Sequence, residues 1–242
     1  MRVTGLRKII IMLRIITATV IGTALVTFGA IFCRQNRSYM DKRVHVWNKK
    51  MLKIVRAKFQ VFNPHNFVFQ PDRAYIVMSN HLSLYDIPLI FAAFPGASIR
   101  MLAKKELFRI PVFGWGIKAG ECVAIDRKNH RQAIRDLALA RQKMLSGIKI
   151  WVAPEGTRSR TGELGVFKRG GFKLALDAKA IIVPVTIVGS NKILPPDTFD
   201  FSINENIAMH IGKPIDTIKY GTKDLSQLME DVAREIKKRV KI

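Results

Sequence analysis

Apolar and polar positions follow different periods along the chain and separate an N-terminal part from a longer remainder. Ile15–Cys33 is 19 residues without a charge, close to the ~20 apolar residues that cross a bilayer core. The apolar run starts at Ile9 and is interrupted at Arg14, near enough to one end for that side chain to reach headgroups. We expect residues 9–33 to form a membrane-associated helix. A cleaved signal peptide, and a segment that enters and returns on one side, are the alternatives.

The next stretch is amphipathic. From Met40 to Phe59, apolar residues recur at three- and four-residue spacing, with seven Lys and Arg residues between them. This pattern predicts a basic amphipathic helix over 40–59, of the kind that lies among lipid headgroups. An ordinary helix packed on a domain with a solvated basic side fits the segment equally well. Its place after a membrane-length apolar run favours the interfacial interpretation, so residues 1–60 are predicted as N-terminal membrane-associated helices and 61–242 as one α/β domain.

Beyond about Asn66, short apolar runs alternate with helical periodicity. This alternation predicts an α/β fold with a mixed, mostly parallel sheet flanked by helices. The predicted strands are Asn66–Gln70, Ala74–Met78, Ser98–Ala103, Cys122–Ile125, Ile148–Ala153, Ile181–Val188 and Ile207–Ile211. Helices are predicted after Tyr85 and over Ala133–Leu145, Gly171–Lys179 and Leu225–Val240. Gly114, Gly116 and Gly120 imitate a dinucleotide-binding fingerprint, but their spacing is one residue too long, so a loop is predicted there.

Composition narrows the class of partner. At 242 residues, 48% apolar and 24% charged, the chain is not a disordered one. Its 41 Lys and Arg against 18 Asp and Glu give a net charge of +23, which predicts an anionic partner, either nucleic acid or acidic lipid. No helix-turn-helix, RNP or zinc pattern supports nucleic acid, and the apolar N-terminal run favours lipid. Cys33 and Cys122 are too few for a disulfide framework, and no Cys/His cluster indicates a metal.

A histidine and a carboxylate follow the strand predicted at Ala74–Met78. His81 comes directly after the polar turn, and Asp86 lies five residues further on. An imidazole can accept a proton from an alcohol near neutral pH, and a carboxylate on its other nitrogen would hold the tautomer. A single histidine after a strand is more often an ordinary loop residue, so the other polar clusters have to decide.

Three further polar clusters stand beside predicted strands. They contain Lys104, then Arg127, then Glu155, Gly156, Thr157 and Arg158. Because ligands of open α/β sheets sit at the carboxyl ends of strands, these clusters can converge on one crevice. The two arginines offer planar forks that suit a phosphate, and Gly156 lets backbone N–H groups approach a ligand. Each cluster alone also fits a surface ion pair or a simple turn.

Five segments, taken in order, resemble a known family. NHLSLYD, AKKEL, GECVAIDR, APEGTR and IIVPVTI look like the successive motif blocks of the glycerolipid acyltransferase family, particularly its bacterial 1-acyl-glycerol-3-phosphate acyltransferases. The resemblance covers about residues 75–190. Ala153 and Leu82 depart from the pattern, because the family usually has phenylalanine at the first position and often glutamine at the second.

The resemblance implies a role for each cluster. His81 would be the general base and Asp86 its orienting partner, while Lys104, Arg127, Glu155, Gly156 and Arg158 would form the glycerol-phosphate site, with Thr157 either in that site or only in the turn. No cofactor is implied; acyl-CoA or acyl-acyl carrier protein would be the co-substrate. The chain lacks a Gly-x-Ser-x-Gly elbow, which agrees with a nucleophile supplied by the substrate.

The resemblance also implies substrates, partners and location. The reaction would move an acyl chain to the sn-2 hydroxyl of 1-acyl-glycerol-3-phosphate and give phosphatidate. The implied partners are this lysolipid, anionic membrane lipid and the acyl donor, without nucleic acid, at the cytoplasmic side of a bacterial inner membrane. A lyso-ornithine lipid acceptor is the alternative. A non-catalytic basic protein that binds membranes or nucleic acid is the remote one.

Overall fold

The computed structural model describes residues 1–32 and 36–239. Two helices open the chain, α1 at Gly5–Phe32 and α2 at Arg37–Ile54. The predicted apolar helix is confirmed for residues 9–32, and its last residue, Cys33, lies outside the described residues. Helix α2 starts at an Asn36 cap, whose side chain accepts a hydrogen bond from the Tyr39 backbone N–H.

The rest of the described chain alternates strands and helices. The strands are β1 Lys58–Phe62, β2 Tyr75–Ser79, β3 Ile99–Lys104, β4 Val123–Ile125, β5 Lys149–Val152, β6 Ile181–Val188, β7 Asn206–Ile211 and β8 Ile215–Asp216. The helices are α3 Asp86–Ala93, α4 Phe113–Ala119, α5 His130–Leu145, α6 Arg169–Asp177, α7 Ser190–Ile193 and α8 Leu225–Lys237. One sheet runs in the order β1-β7-β6-β2-β5-β3-β4, with β8 beside β6. Pairing is parallel except where β6 meets β7 and β8, so the predicted mixed, mostly parallel sheet is confirmed.

Three predictions of local structure are wrong. The amphipathic helix predicted over 40–59 ends at Ile54, and Lys58–Phe62 is the edge strand β1. The strand predicted at Asn66–Gln70 is a loop that pairs with no described strand: the Phe67 N–H donates to Asn63 Oδ1 and the Gln70 N–H to Tyr75 Oη. The loop predicted around Gly114–Gly120 contains helix α4. The other strands and helices are confirmed to within a few residues, with Val240 of the predicted last helix outside the described residues.

Helices cover both faces of the sheet. Strand β2 is buried throughout, with Tyr75 and Val77 in one apolar cluster and Ile76 and Met78 in the other, as the alternation of strand side chains requires. The first cluster takes in residues of α1, α2 and α3, and the second takes in residues of α5, α6 and α8. The carboxyl end of β2 is therefore held rigidly between two helical layers.

Helix α1 lies along the domain, and its contacts change the membrane prediction. It packs on α4 so closely that a Cβ at Gly116 would lie 2.3 Å from Thr23 Cβ. The apolar face of α2 is covered by protein, with Met40, Met51 and Ile54 buried. The packed-helix alternative thus describes the apolar side of α2 better than the interfacial interpretation. Exposed apolar surface lies instead on α1, which is long and apolar enough to cross a membrane and has 22% of its most apolar window buried.

Candidate active site

The predicted site residues gather at one edge of the sheet. His81 follows β2, Glu155–Arg158 follow β5, Lys104 ends β3 and Arg127 follows β4. These four strands are neighbours in the order β2-β5-β3-β4 and all run parallel. Their carboxyl ends therefore meet at the same edge, which is where α/β sheets place ligands.

The imidazole of His81 is oriented by a buried carboxylate. His81 Nδ1–H donates to Asp86 Oδ2 at 2.8 Å. The same oxygen accepts from the backbone N–H groups of Leu82 at 2.7 Å and Ser83 at 2.9 Å. With Nδ1 engaged in this way, Nε2 is left with its lone pair to accept a proton. The ring is edge-on to Trp151, with centroids 5.9 Å apart.

Two polar side chains support this pair: Ser190, which sequence reasoning missed, and Asn80, which precedes His81 in the chain. Ser190 Oγ, at the start of α7, donates to Asp86 Oδ1 at 2.5 Å, so both carboxylate oxygens have partners. Asn80 Nδ2 donates to the carbonyl of Ile187 in β6 at 2.8 Å, and Asn80 Oδ1 accepts from the N–H of the same residue at 2.8 Å. Ser83, which resembles a nucleophile in the sequence, is buried and donates to the Leu194 carbonyl at 2.8 Å. The loop after β2 is therefore fixed from β6 as well as from within.

Glu155 holds this loop rather than facing solvent. Its Oε1 accepts from the His81 N–H at 2.9 Å and its Oε2 from the Gly165 N–H at 2.7 Å, and the residue is 5% exposed. Burial raises the pKa of the Glu155 carboxyl above its ordinary value, against the opposing effect of those two N–H donors. Both oxygens of Glu155 are therefore engaged by backbone groups of the protein, and its contact with substrate stays a prediction.

The basic residues of the predicted phosphate site are arranged around the turn at Gly156. Arg127 Nη1 donates to the Gly156 carbonyl at 2.5 Å, and Gly156 has a left-handed φ of +74° that suits glycine. The Ser159 N–H donates to the His81 carbonyl at 2.7 Å, which brings the segment containing Arg158 beside His81. Thr157 is exposed, and it makes no side-chain hydrogen bond to a described residue.

The two lysines after β3 have different environments. Lys105 Nζ donates to Asp126 Oδ2 at 2.5 Å, and this bond holds the pKa of the Asp126 carboxyl below its ordinary value. Lys104 is exposed and forms no ion pair with any residue in the described ranges. Of the two, Lys104 is therefore the one whose ammonium is available to a ligand, as the family resemblance implied.

An apolar cavity of about 340 Å³ opens beside the catalytic loop. Leu84 and Tyr85 line it from that loop, Met12 and Ile16 from α1, and Phe113 and Ile117 from α4. Burial raises the pKa of the Tyr85 hydroxyl, so that group stays protonated. Within 1–32 and 36–239, no cluster of His, Cys, Asp and Glu is arranged to hold a metal ion. The cavity can hold a hydrocarbon chain beside the loop that follows β2.

The chain is similar to acyltransferases in both sequence and structure. A family model described as "Acyltransferase" matches residues 58–188. The chain is 33% identical over 205 residues to the "Probable 1-acyl-sn-glycerol-3-phosphate acyltransferase" of Mycoplasma pneumoniae, covering 81% of this chain and 76% of that one. It superimposes on the crystal structure of the 1-acyl-sn-glycerophosphate acyltransferase PlsC from Thermotoga maritima with a TM-score of 0.77 and 28% identity, covering 97% of this chain and 96% of that one.

Other relatives are longer proteins. The chain is 32% identical over 163 residues to the chloroplastic 1-acyl-sn-glycerol-3-phosphate acyltransferase BAT2 of Brassica napus. That match covers 67% of this chain but 45% of the relative. A match to the chloroplastic LPAT1 enzyme of Arabidopsis thaliana covers 60% of this chain and 40% of that protein. The chain thus spans less than half the length of these two relatives.

Proposed function

Since this chain belongs to the acyltransferase family, we propose that it transfers a fatty acyl group from a thioester to the sn-2 hydroxyl of 1-acyl-glycerol-3-phosphate. The product is phosphatidate, for phospholipid synthesis. The observation that carries the proposal is the His81–Asp86 hydrogen bond of 2.8 Å at the sheet edge that also holds Arg127 and Arg158. A base for an alcohol and cations for a phosphate are the two needs of this acceptor.

The proposed chemistry follows from the orientation of His81. Its Nε2 accepts the proton of the sn-2 hydroxyl as that oxygen attacks the thioester carbonyl. Asp86, fixed by Leu82, Ser83 and Ser190, stabilises the imidazolium that forms. The tetrahedral intermediate then expels the thiolate, and the imidazolium returns the proton to that sulfur. No side chain of the protein becomes acylated.

The remaining parts of the substrates are assigned by their chemistry. Arg127, Arg158 and Lys104 bind the phosphate of the acceptor, since guanidinium forks match phosphate oxygens. The apolar cavity between α1 and α4 receives an acyl chain. The donor is acyl-CoA or acyl-acyl carrier protein, both of which are anionic and suit a surface of net charge +23.

Location is proposed from the contacts of α1. Arg2 and Lys8, near its start, bind Asp200 at 2.7 and 2.9 Å, while Thr23 packs against Gly116 further along. Since both parts of the helix contact the same domain, α1 lies along the domain within one leaflet and does not cross the bilayer. The membrane is the inner membrane of a bacterium, with the site on the cytoplasmic side, where acyl thioesters are made.

The direct test is acylation by the purified protein in mixed micelles. We expect transfer from acyl-CoA or acyl-acyl carrier protein to lysophosphatidate, and a reduction in kcat of about 10²- to 10⁴-fold in His81→Ala. His65→Ala is the matched control, since His65 is exposed and lines a different cavity, with Pro64 and His210. If His81→Ala retains most of the wild-type rate, the assignment of the base is wrong. If wild type acylates a lyso-ornithine lipid and leaves lysophosphatidate untouched, the acceptor is wrong.

A further inference from the structure

Arg158, proposed above as a phosphate ligand, is already engaged by an internal carboxylate. Arg158 Nη2 donates to Asp197 Oδ1 at 3.1 Å. Asp197 Oδ2 accepts from Arg160 Nε at 3.0 Å and from Arg160 Nη2 at 2.7 Å. One carboxylate therefore bridges two arginines, and its Oδ1 occupies a position on the Arg158 fork that a phosphate oxygen would take.

Asp197 is held in place by the segment around it. Leu194 accepts from Ser83 of the catalytic loop at 2.8 Å, and Asp200 is paired with Lys8 of α1 at 2.9 Å. Asp197 itself has φ +58°, a left-handed conformation that costs energy in residues other than glycine. The fold thus places this carboxylate beside Arg158 at some expense, which a chance surface ion pair does not require.

We propose that Asp197 is a positioning residue that substitutes for the acceptor's phosphate on Arg158 and is exchanged for it on binding; this rests on the proposed function. The exchange is easy for two reasons. Only the Oδ1 contact with Arg158 has to break, because Arg160 retains Oδ2. The Asp197 side chain is also 52% exposed, so the freed oxygen is solvated by water.

The exchange affects the binding of both the acceptor and the product. Acceptor and product carry the same phosphate, so a site that binds it too tightly retains the product. A ligand that must displace Asp197 has its apparent affinity reduced by the fraction of Arg158 that is free. Asp197 therefore weakens the binding of lysophosphatidate and phosphatidate alike and favours release of the latter.

The test is Asp197→Asn, since asparagine keeps the shape and tolerates the left-handed conformation. We expect the KM for lysophosphatidate to fall about two- to fivefold, the range of an exposed ion pair, and product inhibition by phosphatidate to strengthen by the same factor. Asp216→Asn is the matched control: it removes the same charge from an ion pair with Arg73 of 2.7 Å at the amino ends of β2 and β6. It should leave the KM within about 1.3-fold of wild type. An unchanged or raised KM in Asp197→Asn would overturn the proposal.

Repeating the Asp197→Asn substitution in a protein that lacks Arg158 distinguishes exchange at Arg158 from a long-range effect of removing a negative charge. In Arg158→Ala, Asp197→Asn should no longer lower the KM, whereas a long-range or purely structural effect would persist and refute the exchange. Direct titration of lysophosphatidate into His81→Ala, with and without Asp197→Asn, measures the same difference without turnover. Tighter binding in the Asp197→Asn background would support the exchange even if the wild-type protein failed to acylate lysophosphatidate, a result that would count against the proposed reaction alone.

Discussion

At the residue scale, Glu155 shows how a buried carboxylate fixes the backbone that carries His81. Both of its oxygens accept backbone N–H groups, so Glu155→Gln would turn an amide N–H₂ towards the His81 or Gly165 N–H. We expect this clash of donors to lower the free energy of unfolding at pH 7 by about 1–3 kcal/mol. Chemical denaturation of both proteins in the same detergent measures the loss.

The difference in stability between wild type and Glu155→Gln should depend on pH. Because burial raises the pKa of Glu155 in the folded state from its ordinary value of 4.5, the folded protein holds that proton more tightly than the unfolded chain. This contribution to stability is complete below that ordinary value and is lost as pH rises through the raised pKa. The stability advantage of wild type over Glu155→Gln should therefore narrow as pH rises above about 4.5. A gap that widens instead would show that the two N–H donors outweigh burial.

Spacing within one segment was enough to predict the contact between His81 and Asp86, but not the more distant side chains that reach the site. His81 and Asp86 lie in a single turn after a strand, so their contact follows from local sequence. Ser190 and Asp197 are more than 100 residues further along the chain, and they reach the site because β6 is the neighbour of β2. Strand order is set by packing of the whole sheet, which no local pattern encodes.

At the scale of elements, an ion-pair network joins α2 to the sheet. Arg100 of β3 is 2% exposed and donates to Asp41 of α2 at 2.7 Å, with Glu121 at 3.7 Å. Removing Asp41 leaves the buried Arg100 charge without compensation, whereas removing Arg100 leaves two carboxylates that water reaches, and Glu121 keeps its pair with Arg37. We expect Asp41→Ala to lower the free energy of unfolding by about 3 kcal/mol and Arg100→Met by about 1 kcal/mol or less.

The measurement for this pair is chemical denaturation, accompanied by limited proteolysis of α2. Asp41 also accepts a hydrogen bond from Ser98, directly before β3. Asp41→Ala therefore removes two contacts between α2 and the sheet and should make α2 susceptible to cleavage under native conditions. If the two variants lose the same free energy of unfolding, the expected difference is wrong. The positive charge of Arg100 would then itself stabilise the fold.

The elements that sequence patterns failed to predict have physical reasons for it. Strand β1 continues the apolar spacing of α2 and lies mostly exposed at the sheet edge, so it has no alternating pattern of its own. Phe67 and Phe69 alternate like a strand and pack against Tyr75, yet side chains satisfy their backbone where a partner strand would. Helix α4 is rich in glycine and is stabilised by its contact with α1, which propensity does not report.

At the scale of the whole molecule, apolar and basic surfaces lie on different elements. The exposed apolar side chains of α1 include Leu6, Leu13 and Val20, which recur every seven residues on one stripe. Exposed lysines of α2 include Lys49, Lys50 and Lys53. Burial of apolar surface in lipid is not screened by salt, while attraction to anionic headgroups is. Association with membranes should therefore have two separable components.

Two triple variants separate these components in vesicle co-sedimentation. Replacing Leu6, Leu13 and Val20 by Ser should weaken binding by at least about tenfold at about 1 M salt, because each apolar side chain gives on the order of 1–2 kcal/mol on leaving water. Replacing Lys49, Lys50 and Lys53 by Gln should leave that binding intact and reduce only the gain from anionic lipid at low salt. Since neither set lies in the cavity beside the loop that follows β2, acylation of micellar substrate should persist in both. If the Ser variant stays bound at high salt, α1 is not the element that enters the lipid.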